Sequence, residues 1–382
     1  MLSKFLSSFR SSSTSQKSSA VNTISSDAIR AALDHTIDPY IGRSLVAAGA
    51  VQNIDLSGAR PRIVIQLGFP AAGYRDQLAA SVASTLRAEC GAEVDVDIGW
   101  AIQPQAVQSK VQRIASIKNI IAVGSGKGGV GKSTVAVNLA LALLAEGARV
   151  GILDADIYGP SLPLLLGTRE RPASPDGKQM NPVQAHGLQA MSLGFLMDAD
   201  AQPAVWRGPM ATQALWQLLS ETRWDDLDYL VIDLPPGTGD IQLTLAQRIP
   251  VAGSIVITTP QDIALLDARK GLEMFRKVGI PILGVVENMS THVCSNCGHE
   301  EHIFGAGGGE RLAREGAAEL LGSLPLDIRI REQADSGCPT VAADKDSALA
   351  RRYRDIARLA AARLAYGAAA DVAFPAISIV DD

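Results

Sequence analysis

Residues 120–134 of this chain read Ile120-Ile121-Ala122-Val123-Gly124-Ser125-Gly126-Lys127-Gly128-Gly129-Val130-Gly131-Lys132-Ser133-Thr134. The first four residues are apolar, as in a buried strand, and the periodic segment 133–146 that follows the glycines predicts a helix. A strand that passes through a glycine-rich loop into a helix is the setting of a phosphate-binding loop. The stretch therefore predicts a site for a nucleoside triphosphate.

The residue types of this loop suit phosphate binding. Glycines let backbone N–H groups point at phosphate oxygens without a Cβ in the way, and the helix N-terminus adds a positive dipole end. We expect Lys132 to bridge the β- and γ-phosphates of ATP and the Ser133 hydroxyl to bind Mg²⁺. The nucleotide-binding residues predicted in this way are Gly126, Lys127, Gly128, Gly129, Val130, Gly131, Lys132, Ser133 and Thr134.

Elsewhere, continuous apolar runs alternate with helical segments. The runs are 120–123, 149–154, 229–233, 254–258 and 282–287, with helical segments at 133–146, 240–248 and 265–277. This alternation predicts an α/β fold, with a doubly wound, mostly parallel sheet in a P-loop NTPase domain. The preceding part is expected to form a small α+β domain. The expected boundaries are a tail at 1–24, the small domain at 25–100, a partly helical linker at 101–118, the NTPase domain at 119–368 and a tail at 369–382.

Carboxylates follow two of the predicted strands. Asp154 and Asp156 come after one strand and Asp233 ends another. Because the carboxyl ends of parallel strands face the ligand crevice, we expect these groups at the phosphate site. Asp233 is expected to hold Mg²⁺ through water, Asp156 to orient the attacking water, and Asp154 to support the metal or the loop. The segment 237–240 is expected to be a switch loop that senses the γ-phosphate.

Composition excludes several classes of function. The net charge is −5 and aromatic residues make up 4% of the chain, which argues against nucleic-acid binding. No apolar run reaches about 18 residues, so we expect no membrane span. Four cysteines are too few for a disulfide scaffold of this length, and we expect a cytoplasmic protein. The basic, serine-rich segment 1–24 is typical of a mitochondrial transit peptide or a disordered tail, and we favour the tail.

A C-x-x-C pair lies at Cys294 and Cys297. Two thiolates on one tight turn can bind a single metal centre, and two copies of the chain meeting at a two-fold axis would supply the four thiolates of a [4Fe-4S] cluster. The alternatives are Zn²⁺ bound together with His299 and His302, a redox disulfide, or ordinary loop cysteines. We favour the shared cluster. Cys90 and Cys338 are expected to be structural.

Taken together, these motifs resemble the Mrp/ApbC family of iron–sulfur cluster carrier ATPases over residues 119–365. The segments that carry the resemblance are 124–134, 154–161, Trp206-Arg207-Gly208-Pro209-Met210, 233–240, Glu287-Asn288-Met289-Ser290 and 294–297. The loop form K-G-G-x-G-K-[ST] is also similar to that of the MinD, ParA and nitrogenase iron-protein group. In that group the early lysine reaches the partner subunit's nucleotide, so the resemblance implies a homodimer in which Lys127 stabilises transition-state charge.

The resemblance further implies slow, gated ATP hydrolysis that depends on Lys127, Lys132, Asp156 and Asp233. It implies a labile cluster taken from an assembly scaffold and passed to apo iron–sulfur proteins, with Asn288 contacting adenine. Residues 25–100 resemble the small domain of bacterial members, but Tyr40 replaces the glutamate of an Asp-Pro-Glu motif, and 68–70 stand where some relatives carry Cys-Pro. The alternatives are a MinD/ParA-like positioning ATPase and a zinc-binding P-loop ATPase. In the MinD-like alternative the basic segment 349–366 would be a membrane anchor, although we favour a helix packed on the sheet.

Overall fold

The structure is a computed structural model, and it describes residues 24–108, 111–197, 208–294 and 296–367. The predictions made for the two tails and for Trp206-Arg207 lie almost wholly outside these residues. Among the described residues, none of the helices combines the length and the apolar character of a membrane span.

The first part of the chain forms a small unit of three strands and two helices. Its elements are α1 (Ser26–Asp34), β1 (Val51–Asp55), β2 (Arg62–Leu67), α2 (Arg75–Cys90) and β3 (Asp95–Trp100). Strand β2 lies in the middle, antiparallel to β1 and parallel to β3. Helix α1 begins where the Ser25 hydroxyl accepts the N–H of Ala28, and α2 ends at Gly91, whose φ of 64° favours glycine. The unit thus has the mixed α and β content that the sequence predicts for the part of the chain before the NTPase domain.

The rest of the chain builds an α/β unit. Its strands are β4 (Ile117–Ser125), β5 (Val150–Asp154), β6 (Val183–Ala185), β7 (Leu188–Ser192), β8 (Leu227–Asp233), β9 (Gly253–Thr258), β10 (Ile282–Glu287), β11 (His292–Val293), β12 (Glu300–Glu301) and β13 (Leu320–Ser323). Its helices are α3 (Lys132–Ala145), α4 (Leu162–Leu165), α5 (Gly208–Ser220), α6 (Asp240–Arg248), α7 (Asp262–Lys277), α8 (Gly308–Glu315), α9 (Ile328–Asp335), α10 (Thr340–Ala343) and α11 (Ala348–Tyr366).

The large sheet has the order β13-β10-β9-β4-β8-β5-β7-β6, and its pairs are parallel except for β6 with β7. Along β4, Ile121 and Val123 belong to a core shared with α3 and α11, whereas Ile120 and Ala122 belong to a core shared with α5 to α8. Alternate residues of one strand are therefore buried on opposite faces, which requires helices on both sides of the sheet. The predicted doubly wound, mostly parallel class is confirmed.

Two features differ from the sequence-based expectation. The described parts of the predicted linker, 101–108 and 111–118, contain no helix, and β4 begins inside it because Ile117 pairs with Leu227 of β8. The short strands β6, β7 and β13 and the helices α5, α8, α9 and α10 had no predicted counterpart. Helix α11 packs on α3 and β13, as expected for a final helix covering the sheet.

A buried carboxylate joins the small unit to the α/β unit. Glu146 caps the end of α3 and is fully buried. Its Oε1 accepts hydrogen bonds from Arg354 Nε at 2.7 Å and Arg358 Nη2 at 2.6 Å, and its Oε2 accepts the N–H of Gly73 at 2.9 Å. Arg358 also donates to the hydroxyl of Tyr40 and lies over its ring. Tyr40 thus takes part in the contact between the two units.

We expect Glu146→Ala to lower the free energy of unfolding by about 3–5 kcal/mol, because two buried guanidinium groups lose their shared buried counter-charge and keep only exposed carboxylate partners. The measurement is urea unfolding followed by circular dichroism. Asp97→Ala is the matched control, since the Arg62–Asp97 pair is exposed and should contribute at most about 1 kcal/mol. Equal losses in the two variants would show that Glu146 does not hold the units together.

Candidate nucleotide and metal site

The carboxyl edge of the large sheet gathers the predicted site residues. The phosphate loop leaves the central strand β4, whose Val123 is level with Asp233 of β8, and Asp233 is in turn level with Asp154 of β5. Asn288 follows β10 at the same edge. Parallel pairing thus brings together side chains from four separate parts of the chain.

Lys132 forms a buried ion pair with Asp233. The side chains are 6% and 4% exposed, and Lys132 Nζ donates to Asp233 Oδ1 and, at 3.3 Å, to the Ser133 hydroxyl. The Lys132 ammonium group therefore contacts the Ser133 hydroxyl and the Asp233 carboxylate, the two groups that the sequence analysis expects to bind Mg²⁺. Because the hydroxyl and the carboxylate already converge on one cationic position, these residues fit a magnesium ion in that place.

The carboxylate of Asp154 accepts hydrogen bonds from the loop that follows it. Its Oδ1 accepts the N–H of Asp156 at 3.0 Å, and its Oδ2 accepts the N–H groups of Ser161 and Leu162 and the Ser192 hydroxyl at 3.0–3.1 Å. Burial, and then repulsion from Asp233, raise the pKa of Asp154 to about 7. Of the two roles expected for Asp154, the geometry favours loop support. Ser192 ends the unpredicted strand β7, so sequence reasoning missed it.

Asp156 and Lys127 are the less buried members of the site. Burial raises the pKa of Asp156, while attraction to Lys132 opposes that shift, so Asp156 lies within electrostatic reach of the phosphate-loop lysine. The side chain of Lys127 forms no hydrogen bond or ion pair with any residue that the structure describes, and its backbone carbonyl accepts the Ser125 hydroxyl. The roles of Asp156 in orienting water and of Lys127 across a dimer stay predictions.

The ends of the phosphate loop are tightly packed, whereas its middle is open. A Cβ on Gly126 would overlap the backbone of Asp267 in α7, and one on Gly131 would overlap the Asn288 amide nitrogen. Cβ atoms on Gly128 and Gly129 would meet nothing within 4 Å. The outer glycines are thus required by packing, and the inner ones leave room for a phosphate.

Asn288 contacts this loop directly. Its side chain is buried, and its Nδ2 donates to the carbonyl of Val130 at 2.9 Å. The sequence pattern gave no sign of this bond, because the two residues are far apart along the chain. The adenine contact implied by the family resemblance stays a prediction.

Cys294 and Cys297 lie on the turn of a hairpin. Strands β11 and β12 pair His292 with Glu301 and Val293 with Glu300. The N–H groups of Cys297 and Asn296 donate to the sulfur of Cys294 and hold the pKa of its thiol below the usual range. Cys297 is exposed, and both cysteines are free thiols. The turn therefore presents two thiols, and the pKa of one of them, Cys294, is lowered.

The histidines of this region do not complete a metal site. His302 Nδ1 lies 2.9 Å from the carbonyl of Ser290. In the described part of the chain, no group of three or more histidine, cysteine, aspartate or glutamate side chains could hold a metal ion. A zinc site formed by Cys294, Cys297 and the two histidines of one chain is therefore not assembled here. Cys90 lies apart in the small unit, where its thiol faces the carbonyl of Ala28.

A sequence profile for the family described as NUBPL iron-transfer P-loop NTPase matches residues 116–361, more than half of the chain. The chain belongs to this family. A second profile, for iron–sulfur cluster assembly proteins, matches residues 26–98. Both matches agree with the resemblance stated from the sequence motifs.

Curated relatives extend this similarity. The chain is 62% identical over 264 residues to an iron–sulfur cluster carrier protein of Pseudomonas fragi, covering 69% of this chain and 92% of the relative. It is 52% identical over 324 residues to one of Haemophilus influenzae, covering 84% and 86%. Among solved structures, a nucleotide-binding protein from Archaeoglobus fulgidus in complex with ADP is similar, with 36% identity and a TM-score of 0.54, covering 62% of this chain and 91% of that one. The predicted fold class and family are thus confirmed.

We expect Gly131→Ala to destabilise the nucleotide-free protein, because residue 131 has a φ of 81° and its new Cβ would displace Asn288. The backbone strain alone should cost about 1–2 kcal/mol. Gly128→Ala is the control in the same loop, since its Cβ enters open space. Urea midpoints measured without nucleotide test this expectation, and identical midpoints would show that the Asn288 contact does not constrain the loop.

Proposed function

We propose that this protein is an ATP-hydrolysing carrier of iron–sulfur clusters. It takes a [4Fe-4S] cluster from an assembly scaffold, holds it between the cysteine pairs of two copies, and passes it to apoproteins. The observation that carries this proposal is the Cys294–Cys297 turn, a two-thiol site on a hairpin that leaves the nucleotide edge of the sheet. The names of the curated relatives support the same function.

The cysteine turn supplies half of the ligands that the cargo needs. A [4Fe-4S] cluster is bound by four thiolates, and one turn offers two. A two-fold axis through the cluster would bring the same turn from a second copy and complete the set. Amide donors to Cys294 favour the thiolate that binds iron, and the exposure of Cys297 leaves the cargo accessible to a recipient.

The nucleotide site suits slow hydrolysis. Lys132, now paired with Asp233, would transfer to the phosphates and leave Asp233 and Ser133 to hold Mg²⁺. When bound, Mg²⁺ neutralises charge on the phosphate oxygens. Asp156 would orient the attacking water, and Lys127, which has no partner among the described residues, would reach the phosphates bound by the second copy. A homodimer would therefore be needed for both hydrolysis and cluster binding.

Anaerobic reconstitution with iron and sulfide tests the cargo. We expect about four iron atoms per two chains and a cluster absorbance band, because each chain contributes two thiolates. Replacing Cys294 and Cys297 with serine should abolish both signals, while Cys338→Ser, the matched control, should retain them. Uptake of about one zinc per chain with no iron would contradict the carrier function.

The two loop lysines should separate binding from hydrolysis. We expect Lys132→Ala to abolish ATP binding, because it removes the buried phosphate ligand. Lys127→Ala should retain the Kd for ATP but lower kcat at least about 100-fold, the usual effect of losing a donor to transition-state charge. Fluorescent-nucleotide titration and phosphate release measure the two quantities. Unchanged turnover in Lys127→Ala would exclude its action across the dimer.

A further inference from the structure

The three residues Asn288-Met289-Ser290, hereafter the elbow, connect the phosphate loop to the cysteine hairpin, residues 292–301. At its first residue, the buried Asn288 amide donates to the Val130 carbonyl at 2.9 Å. Val130 lies between Gly129 and Gly131, both with a φ of 81°. Since neighbouring N–H groups in such a loop bind phosphate, a change in the loop backbone on nucleotide binding would move the carbonyl that holds Asn288.

The last residue of the elbow is equally fixed. The N–H and the hydroxyl of Ser290 both donate to the Leu324 carbonyl, at 2.9 and 3.1 Å. Between the two anchors, Met289 has a φ of 57°, in the left-handed region that favours glycine. A residue other than glycine stays in that region only where its surroundings hold it. The elbow is thus a short segment in an unfavourable conformation, maintained from both ends.

The cysteine hairpin is attached to this elbow on both sides. Ser290 leads through Thr291 into β11, and His302, directly after β12, places its Nδ1 2.9 Å from the Ser290 carbonyl. A carbonyl can only accept, so the bond requires a proton on Nδ1 of His302. Just before the elbow, Glu287 accepts the N–H of Gly309, which holds the segment that follows the hairpin. A movement of Ser290 would therefore be passed to both strands that carry Cys294 and Cys297.

We propose that the elbow transmits the state of the phosphate loop to the cysteine hairpin, with His302 as the positioning residue that ties the hairpin to Ser290. This inference rests on the proposed function for the identity of the nucleotide and of the cargo. Nucleotide binding would then change the spacing or mobility of the Cys294–Cys297 turn, and with it the ease of releasing a shared cluster. The path runs from Val130 to Asn288 by one hydrogen bond, along the backbone of the elbow to Ser290, and by a second hydrogen bond to His302.

The test compares two substitutions of His302 in the full-length, iron-free protein. His302→Leu removes the donor, whereas His302→Asn retains an N–H donor at the δ position. Hydrogen–deuterium exchange of peptides covering 291–301 is measured with and without saturating MgATP. The wild-type protein and His302→Asn should show a nucleotide-dependent difference in exchange, and His302→Leu should lose it while its Kd for ATP stays within about twofold. A purely structural role would change exchange equally in both states.

A nucleotide-dependent difference that persists in His302→Leu would overturn the proposal, as would its absence from the wild-type protein. Neither result bears on the carrier function, which iron reconstitution judges separately. If His302→Leu does not fold, Asn288→Leu interrupts the other end of the path and should remove the same difference at saturating ATP. Retention of the difference in that variant would equally exclude the elbow as the connection.

Discussion

The buried ammonium group of Lys132 is the charge on which the nucleotide edge depends. Asp154 and Asp233 end adjacent strands, so two buried carboxylates lie side by side, and the half-buried Asp156 follows close by. Burial raises the pKa of Asp154, and the negative charge of Asp233 adds to that shift by repulsion. Lys132 offsets it through its ion pair with Asp233. If ATP draws this lysine away, the carboxylates lose their counter-charge while more negative charge arrives. Removing one partner of a buried pair is costly, so we infer that ATP binds together with a divalent cation that replaces the lysine beside Asp233.

Helix α3, whose first residue is Lys132, connects the nucleotide edge of the sheet to the small unit. Helix α3 begins at Lys132 and ends at Ala145, and the next residue, Glu146, binds two arginines of α11 and the backbone of Gly73. Its 14 residues span about 21 Å at 1.5 Å each, so the small unit docks far from the phosphate loop. Gly68 donates its N–H to the Tyr366 hydroxyl in the same interface. This bond adds to the docking of the small unit, away from the carboxyl edge of the large sheet.

The sequence was informative where a local pattern sets the structure. Apolar runs located β5, β8, β9 and β10, and the glycine spacing placed Lys132 and Ser133 at a helix start. Parallel pairing then made the meeting of Lys132 and Asp233 foreseeable. It was uninformative where distant side chains meet: neither Ser192 with Asp154 nor Glu146 with Arg358 has a local signature. Short strands such as β6 were also not predicted, because three residues are too few to show the alternation of apolar and polar residues that marks a strand. The need for glycine at 126 also has no local signature, because it arises from the backbone of α7, which is distant in the sequence.

The side chain of Asn288 has two partners to satisfy, the base of the nucleotide and the carbonyl of Val130 in the phosphate loop. The family resemblance implies that it recognises the base of the nucleotide, whereas in the structure its Nδ2 donates to the Val130 carbonyl. A primary amide has two N–H groups and one carbonyl oxygen, so it can serve both partners only if the base uses the remaining groups. Because Asn288 is buried and its own N–H is fixed to Thr258 at the end of β9, it has little freedom to turn between them. Base binding would then tighten or strain its bond to the loop, and the elbow would respond to the base as well as to the phosphates.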